Sequence, residues 1–500
     1  MRRFIFSVST VLLFVVQPFF AQESSNIFLD RDYWRSNPSI QDIEQKIADG
    51  NDVSQLNRFA FDAISYALIE KVDNNTIKHL LSKEGNGVNK LTHDGRTYIF
   101  WAAYKDNLDM MQYLVDQGAK TDIIDSHGYS LLNFSAVTGQ LNTKLYDFLL
   151  DHGADPKTEK NHDGANALLL VAPFLKDFEL VEYFISKSVD LTSTDNNGNG
   201  IFNYAAKGGN LELLDLLIDK GLPYKAANTK GGNAVLMASQ GTRGRQNTID
   251  VYKFLEDKGL NINVVGEEGR NPLHNIAYRT DDLELLTYFL DRGVDVNLKD
   301  DEGRTAFMNA AGYNSLDVVT FFAPRVDNLD AKDKNGHSAL TLAVNRNKTD
   351  VVQFLLEKKA DVSTIDKDGN SLMYYVLNTY RSGEPKVFEE KLQLLVDAGL
   401  DTNATQGKGN TLYHLAVEKG NLELLKRVHN FKIDVNTKND DGLSPLHLAA
   451  MKAKNEDILK YLLSIGADKS AKTDFEESVY DLAMENELLQ KHNININFLK

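Results

Sequence analysis

Short apolar segments alternate with polar breaks through most of this chain, and their order repeats. In one copy, residues 305–311 form a short apolar segment, and residues 316–322 form a second one after a polar break. Apolar side chains at helical spacing bury one stripe of a helix against a neighbour, so each copy is predicted to contain two short helices. A glycine such as Gly221 or Gly293 follows the second segment and is expected to end that helix.

Another glycine recurs at a fixed phase ahead of the first helix. It stands at Gly95, Gly128, Gly164, Gly198, Gly231, Gly269, Gly303, Gly336, Gly369, Gly409 and Gly442. The gaps between these glycines run from 33 to 40 residues, and such a period indicates stacked supersecondary units rather than one globular core. Pairs such as Asp94-Gly95 and Asn335-Gly336 tolerate positive φ, so they are predicted to form hairpin tips.

A hydroxyl residue follows most of these tips, at the position where the first helix should begin. These residues are Thr97, Ser130, Thr305, Ser338, Ser371, Thr411 and Ser444. Such a side chain can accept a hydrogen bond from a helix amide that lacks an internal partner. We therefore predict that these residues cap the first helices.

Two copies lead from this position into a recognisable motif. Gly442 is followed by Ser-Pro-Leu-His-Leu-Ala-Ala at residues 444–450, and Gly269 by Asn-Pro-Leu-His at residues 271–274. These segments resemble the T-P-L-H-x-A signature of the ankyrin-repeat family, whose unit is a β-turn followed by two antiparallel helices. The resemblance covers roughly residues 58–490, because many copies stand in register.

The resemblance implies a mostly α fold, an ankyrin-repeat solenoid of about twelve helix-turn-helix units with β-hairpin or turn connections. Each unit of a solenoid contacts only its neighbours, so one extended body is expected. The resemblance also implies a structural role for His274, His414 and His447, whose imidazoles would bond a hydroxyl and neighbouring backbone.

The start of the chain departs from this pattern. Arg2 and Arg3 precede an apolar run over residues 4–20, and Ala21 follows it. This arrangement is typical of a secretory signal peptide, so residues 1–21 are predicted to be removed on export. A membrane anchor is the weaker alternative, because the run falls short of the roughly 20 residues that a span requires. The short basic start indicates a bacterial protein that is periplasmic or secreted.

The remaining boundaries follow from where the repeat weakens. Residues 22–57 are interpreted as a polar lead and a degenerate N-terminal capping unit, and residues 58–472 as the ankyrin-repeat solenoid. Residues 473–500 are interpreted as the C-terminal capping repeat. Terminal repeats of a solenoid need a polar outer face, so atypical sequence is expected at both ends.

Composition narrows the range of partners. The formal net charge is −16, and such a field repels phosphate backbones, so nucleic-acid binding is not expected. The chain contains no cysteine, so an exported form would depend on packing alone, without disulfides. We expect a monomer without stable membrane insertion after signal cleavage, whose partner is another protein.

No motif in the sequence indicates catalysis, a cofactor or a metal. Tip histidines such as His93 and His127 lie about one repeat apart, which is too far for a zinc site. The turn at residues 366–369 resembles the front of a calcium loop, but Tyr375 stands where that loop requires an acidic residue. The spacings of a phosphate loop, a nucleophile elbow and a zinc-protease helix are also absent from the sequence.

Three classes of function remain open. The first is a non-enzymatic scaffold that binds proteins on the concave face of the solenoid. The second is an inhibitor or protective partner of one exported enzyme, for example in stress defence. The third is an enzyme, which would require a pocket with converging titratable groups.

The candidate binding residues lie after the turn glycines and at the ends of the first helices. They are Arg96, Tyr104, Tyr129, Arg270, Tyr278, Arg279, Arg304, Tyr313 and Arg346. These positions are interpreted as free of packing constraints, and Arg and Tyr are enriched at interface hot spots. The members from Arg270 to Arg346 are predicted to form a basic-aromatic island that contacts carboxylates of a partner. The alternative is that these are only solvated variable positions.

Two insertions lengthen the period, at residues 241–247 and 380–386. Both are predicted to fall between the two helices of a unit, where added length costs little stability. Each insertion either binds a partner or only lengthens the loop.

Overall fold

The computed structural model describes residues 26–500, so the predicted signal peptide and the first residues of the lead lie outside the described part. Over residues 26–500 the chain forms α-helices, short 3₁₀ turns and isolated β-bridges, without a β-strand. The chain divides into two compact units. Unit 1 comprises residues 26–171 and 178–196, and unit 2 comprises residues 172–177 and 197–500.

Each unit is a series of short helices. Unit 1 contains α1 (Arg31–Arg35), α2 (Ile40–Ala48), α3 (Ala63–Ile69), α4 (Asn74–Leu81), α5 (Tyr98–Tyr104), α6 (Leu108–Asp116), α7 (Leu131–Val137), α8 (Thr143–Asp151), α9 (Ala167–Val171) and α10 (Glu179–Ser186). Unit 2 contains α11 (Ile201–Gly208), α12 (Leu211–Asp219), α13 (Ala234–Gln240), α14 (Ile249–Asp257), α15 (Pro272–Ile276), α16 (Leu283–Asp291), α17 (Ala306–Tyr313), α18 (Leu316–Phe322), α19 (Ala339–Arg346), α20 (Thr349–Glu357), α21 (Leu372–Leu377), α22 (Lys386–Asp397), α23 (Leu412–Glu418), α24 (Leu422–His429), α25 (Pro445–Lys452), α26 (Asp457–Ser464), α27 (Val479–Glu485) and α28 (Glu487–Lys491).

From α3 onwards, each odd-numbered helix is the first helix of a repeat and the next even-numbered helix is the second. The predicted pairs of short helices are thereby confirmed. Within unit 1, α3 packs on α5 and α5 on α7; within unit 2, α17 packs on α19 and α23 on α25. The main contacts therefore join helices of the same or the next repeat, as a solenoid requires.

The core runs through the first helices. In α25, every residue from Pro445 to Ala450 is buried, and the alanine pair Ala449 and Ala450 lets the adjacent helices approach closely. A second helix buries only one stripe, as Leu213, Leu214 and Leu217 do in α12. The stripe on the second helix is the amphipathic pattern seen in the sequence.

The predicted hairpins are tight turns rather than strands, and several turns are bonded through the backbone to the preceding one. The Lys334 amide donates to the Glu302 carbonyl at 2.8 Å, and the Lys367 amide donates to the Asn335 carbonyl at 2.9 Å. Gly336 has φ +80°, and a Cβ on it would lie 2.9 Å from the Cα of the next turn's Asp366. Glycine is therefore needed there both for its backbone conformation and for the close approach of the two turns.

The hydroxyl caps are confirmed at most positions. Ser130, Thr305, Ser338, Ser371 and Ser444 each accept a hydrogen bond from an amide of the helix that they precede.

The predicted cap at Thr97 is wrong. Its hydroxyl is buried and accepts no hydrogen bond. The Phe100 amide donates instead to the main-chain carbonyl of Thr97, at 3.1 Å. The helix amide is satisfied in this way without the side chain.

The predicted structural role of the first-helix histidines is confirmed. The Nδ1 atom of His447 lies 2.8 Å from the Ser444 hydroxyl oxygen, and its Nε2 lies 3.0 Å from the Ala471 carbonyl of the next repeat. His414 bonds Thr411 and the next repeat in the same way. Burial lowers the pKa of these imidazoles, so the neutral ring is the form that the fold holds.

Asparagines that follow first helices join successive repeats of unit 2. The Asn314 side-chain amide donates to the carbonyls of Ala277 and Thr280, at 2.9 and 2.8 Å. The Asn347 amide donates to the carbonyls of Ala311 and Asn314 at the same two distances. Because first-helix ends leave carbonyls without internal partners, each asparagine satisfies those of the preceding repeat. We call these contacts the asparagine clamps.

A lysine replaces the clamp at one junction. The insertion at residues 380–386 displaces the expected asparagine, and Lys391 of α22 reaches back instead. Its Nζ donates to the carbonyls of Val344 and Asn347, at 2.8 and 2.5 Å. The side chain is 1% exposed, and burial lowers the pKa of Lys391 to about 8.

Candidate binding surface

The loops between first and second helices form a continuous edge of unit 2. Each clamp bonds a loop to the one before it, so the loops after α15, α17 and α19 are held in register. Asn275 of α15 also donates to the Ser239 hydroxyl of α13 at 2.8 Å, which places the end of α13 beside them. The first-helix ends singled out in the sequence therefore lie on adjacent repeats.

The structure brings the aromatic members of the island together. The rings of Tyr278 and Tyr313 lie 5.0 Å apart, and the Arg346 guanidinium lies 5.2 Å from the centre of the Tyr313 ring. Tyr313 is 42% exposed, and Arg279 and Arg346 are exposed. A cation over an exposed aromatic ring is a weak contact that a ligand can share or replace.

The arginines that follow turn glycines have a different environment. The Arg304 Nε lies 3.2 Å from the carboxylate of Asp333, which is almost fully buried. Arg270 lies 2.8 Å from Glu268 and 3.4 Å from Asp300. Since a buried carboxylate needs a charged partner, these arginines stabilise the stack. The interpretation that packing leaves the slot free is therefore wrong for Arg304, whereas the Arg270 side chain is 41% exposed. A role of both arginines in partner binding stays a prediction.

The turn carboxylates bind backbone as well as arginine. One oxygen of Asp333 accepts the amides of Asn335 and His337, at 2.8 and 2.9 Å. Burial alone would raise the pKa of Asp333, but bonds from His337 and Asn335 hold the pKa at about 2. For Arg304, burial lowers the pKa, yet the Asp333 carboxylate and the Tyr278 hydroxyl leave it raised overall.

A pairing recurs between some neighbouring turns. The arginine after one turn glycine meets the aspartate that begins the next turn in the Arg304–Asp333 and Arg96–Asp125 pairs. At two other junctions asparagines take these places: Asn228 donates to Asn199 and Asn439 to Asn410, each at 2.9 Å. Sequence reasoning missed these pairs, although their recurrence 29 residues apart was a usable signal.

The remaining sequence-predicted residues belong to unit 1. Arg96 is 9% exposed, lies 2.7 Å from the Asp125 carboxylate and stacks 4.5 Å from the centre of the Phe134 ring. Packing therefore fixes Arg96 too, and the interpretation of a free slot is wrong there. Tyr104 and Tyr129 are half-buried. Their role in binding stays a prediction.

The two insertions differ in what they present. In residues 241–247, Thr242 and Arg245 exchange backbone hydrogen bonds of 3.0 and 3.1 Å, which fixes a tight loop. Arg243 and Arg245 are exposed on it. In residues 380–386, Arg381 donates instead to main-chain carbonyls of its own loop.

Unit 2 contains two cavities large enough to hold a small molecule. One of about 180 Å³ is lined by Phe307, Met308 and Leu329 beside Asp327. One of about 280 Å³ is lined by three lysines, among them Lys454. Neither cavity is lined by a histidine. Over residues 26–500, no cluster of metal-ligating side chains could hold an ion, and no helix has the length and apolarity to cross a membrane.

Comparison with known proteins accords with this architecture. A family model described as "Ankyrin repeats (3 copies)" matches residues 64–160, 168–266, 244–328, 273–366, 307–383 and 385–473. The Notch-regulated ankyrin repeat-containing protein of Xenopus tropicalis is 36% identical over 82 residues, which cover 16% of this chain and 71% of the relative. Protein phosphatase 1 regulatory subunit 27 of Mus musculus is 38% identical over 66 residues, 13% of this chain and 42% of the relative.

Alpha-latrocrustotoxin-Lt1a of Latrodectus tredecimguttatus is 38% identical over 95 residues, 19% of this chain and 7% of the relative. These three relatives are eukaryotic. The bacterial origin and the export inferred from residues 1–21 stay predictions.

Proposed function

This chain belongs to the ankyrin-repeat family, and we propose on that basis that it is a non-enzymatic scaffold that binds another protein through the exposed part of the island in unit 2. That part consists of Tyr278, Arg279, Tyr313 and Arg346. A relative named as a regulatory subunit of a phosphatase carries the same kind of repeat, which supports partner binding as a use of the fold.

The observation that carries the proposal is the contrast between two sets of arginines. Arg270 and Arg304 are engaged by carboxylates of their own chain. Arg279 and Arg346 have no ion pair among the described residues. Arg279 directly follows Tyr278 in the chain, and Arg346 lies over the ring of Tyr313. An exposed guanidinium next to an aromatic ring favours a partner that presents carboxylates, because the charge is available and the ring adds contact area.

Capture of the native partner tests this proposal. The triple variant Arg279→Ala, Tyr313→Ala, Arg346→Ala should retain at least ten-fold less of the partner than the unaltered chain, because each hot-spot truncation costs about 1–2 kcal/mol. The matched control is Lys230→Ala, Lys334→Ala, Phe475→Ala, which removes two cations and one exposed ring from turn tips of the same unit. Equal capture by both variants contradicts the proposal.

We also propose that the mature chain acts in the periplasm or as a secreted protein. The apolar run that follows Arg2 and Arg3 supports export. Amino-terminal sequencing of the protein recovered from the expressing cells should begin near Gln22. An intact Met1 in all fractions contradicts export. A stable one-to-one complex with a single exported enzyme would narrow the scaffold to the inhibitor or protective role.

A further inference from the structure

A second set of cations lies on the same edge of unit 2, beyond the island. The loop after α13 presents Arg243 and Arg245, and the loop after α19 presents Lys348 next to Arg346. We call the four loops that follow α13, α15, α17 and α19 the basic loop row. It lies within a chain whose net charge is −16, so it is a local reversal of the overall field.

The cations of the row are unpaired. Within residues 26–500, no ion pair or side-chain hydrogen bond engages Arg243, Arg245 or Lys348. Half-buried arginines of unit 2 differ in this respect, because Arg292 is paired with Glu256 at 2.7 Å and Arg427 with Glu389 at 2.6 Å. An acidic chain that leaves several neighbouring cations unpaired has them available for an external anion.

The row is also rigid, which lowers the entropy cost of binding. The Arg243 loop is closed by the two hydrogen bonds between Thr242 and Arg245. The Asn247 side-chain amide anchors the end of that loop, donating to the Ala206 and Ala238 carbonyls at 2.9 and 3.0 Å. The later loops are held by the clamps at Asn314 and Asn347.

From this arrangement we propose that the basic loop row binds an extended acidic peptide segment that runs across four consecutive repeats. The proposal rests on the proposed function and names the chemistry of the partner. Packed helices lie about 8–10 Å apart, so three steps along the row span roughly 30 Å. An extended chain rises about 3.3 Å per residue, so about nine residues cover the row and every third residue lies near a loop. The loops after α13, α15 and α19 supply the cations.

A peptide fits this surface better than a nucleic acid. The overall negative charge repels a long polyanion, whereas a short acidic segment meets only the local cations. One feature of the row opposes an acidic peptide: Asp281 is exposed in the loop after α15, beside Arg279. Its neighbour Asp282 is engaged, because it caps α16 through the Leu285 amide. Removing the Asp281 charge should therefore strengthen binding.

Fluorescence anisotropy with labelled polyglutamate peptides tests the proposal on the full chain. A twelve-residue peptide should bind much more tightly than a four-residue one, because only the longer peptide reaches all four loops. The double variant Arg243→Ala, Arg245→Ala should weaken binding of the twelve-residue peptide by about five- to thirty-fold, since each exposed charge pair contributes up to about a five-fold effect. Asp281→Asn should tighten it.

The control Lys230→Ala, Lys334→Ala removes the same net charge from turn tips of the same unit and should leave the affinity nearly unchanged. An equal loss in this control, no dependence on peptide length, or no binding overturns the inference. Tighter binding of a twelve-nucleotide oligothymidylate than of the peptide also overturns it. The Arg243 loop lies outside the proposed island, so the two proposals can fail separately. If Arg279→Ala and Arg346→Ala weaken partner capture but Arg243→Ala with Arg245→Ala leaves peptide binding unchanged, this inference fails and the proposed function stands.

Discussion

Replacing Lys391 by methionine tests the lysine clamp most directly. Methionine keeps the length and apolar stem of the side chain but offers no hydrogen-bond donor. The carbonyls of Val344 and Asn347 would then lose the Nζ that lies 2.8 and 2.5 Å away. Each lost bond to a buried carbonyl costs about 1–3 kcal/mol, so donor loss alone destabilises the fold by several kcal/mol.

The charge of the ammonium opposes this cost at neutral pH. Burial lowers the pKa of Lys391 from 10.5 to about 8, and one pKa unit corresponds to about 1.4 kcal/mol. Keeping the Lys391 ammonium protonated in the fold at pH 7 therefore costs about 3 kcal/mol of stability. The methionine variant has no charge and avoids this cost. We expect Lys391→Met to be only about 1 kcal/mol less stable at pH 7.

The sign of the pH dependence follows from the lowered pKa. The unfolded chain keeps its proton up to pH 10.5, whereas the folded chain releases it near pH 8, so the stability of the unaltered protein rises between these values. The variant lacks this rise. The difference between the two proteins should therefore grow by about 3 kcal/mol from pH 8 to pH 10.5.

Hydrogen exchange of peptides that cover α19 and α22, with urea unfolding followed by circular dichroism, measures this difference. Tryptophan fluorescence does not serve, because Trp34 and Trp101 are the only tryptophans and both lie in unit 1. Lys386→Met on the same helix is the matched control, since its side chain is 84% exposed, and it should change stability by less than about 0.5 kcal/mol. A stability difference for Lys391→Met that does not vary with pH would refute the reasoning.

Three further predictions concern stability. The unfolding free energy should fall as the pH drops below about 6.5. Burial lowers the pKa of the first-helix histidines, so the unfolded chain takes up protons at a higher pH than the folded chain. When urea unfolding is measured at several pH values below 6.5, a His414→Asn variant should lose less stability than the unaltered protein. Gly336→Ala should destabilise the fold by clearly more than Gly383→Ala. Both glycines have φ near +80°, and a left-handed alanine alone costs about 1–2 kcal/mol, but only Gly336→Ala would place a Cβ against the next turn. Equal shifts of the melting temperature for the two variants would contradict this prediction. Arg96→Ala should cost about 3–5 kcal/mol by leaving a buried carboxylate unpaired, whereas Arg279→Ala should stay within about 0.5 kcal/mol in the same denaturation assay.

The repeating fold could be predicted from the sequence because its signals are local. Each turn glycine, such as Gly442, stands a few residues from the motif that it precedes, and the first and second helices carry their apolar pattern within one copy. The tips became turns rather than hairpins because their amides bond the neighbouring turn instead of a second strand.

The candidate site was harder to predict because its determinants lie in the next repeat. Arg270 and Arg279 look alike in the sequence, yet only Arg270 faces a buried carboxylate, 30 residues later. Lys391 lies on the apolar period of a second helix, and nothing near it in the chain indicates the carbonyls that it binds 44 to 48 residues earlier. A single copy does not contain the information that separates structural from free cations.

The clamps have a consequence for how such a gene can change. Asn314 and Asn347 lie one period of 33 residues apart and bind equivalent carbonyls of the preceding repeats. Recombination that removed residues 306–338 would bring Asn347 to the carbonyls of Ala277 and Thr280, and would bring Arg304 to Asp366. Loss or duplication of a whole copy would thus regenerate a native junction, so this segment can alter its copy number without inventing a new interface.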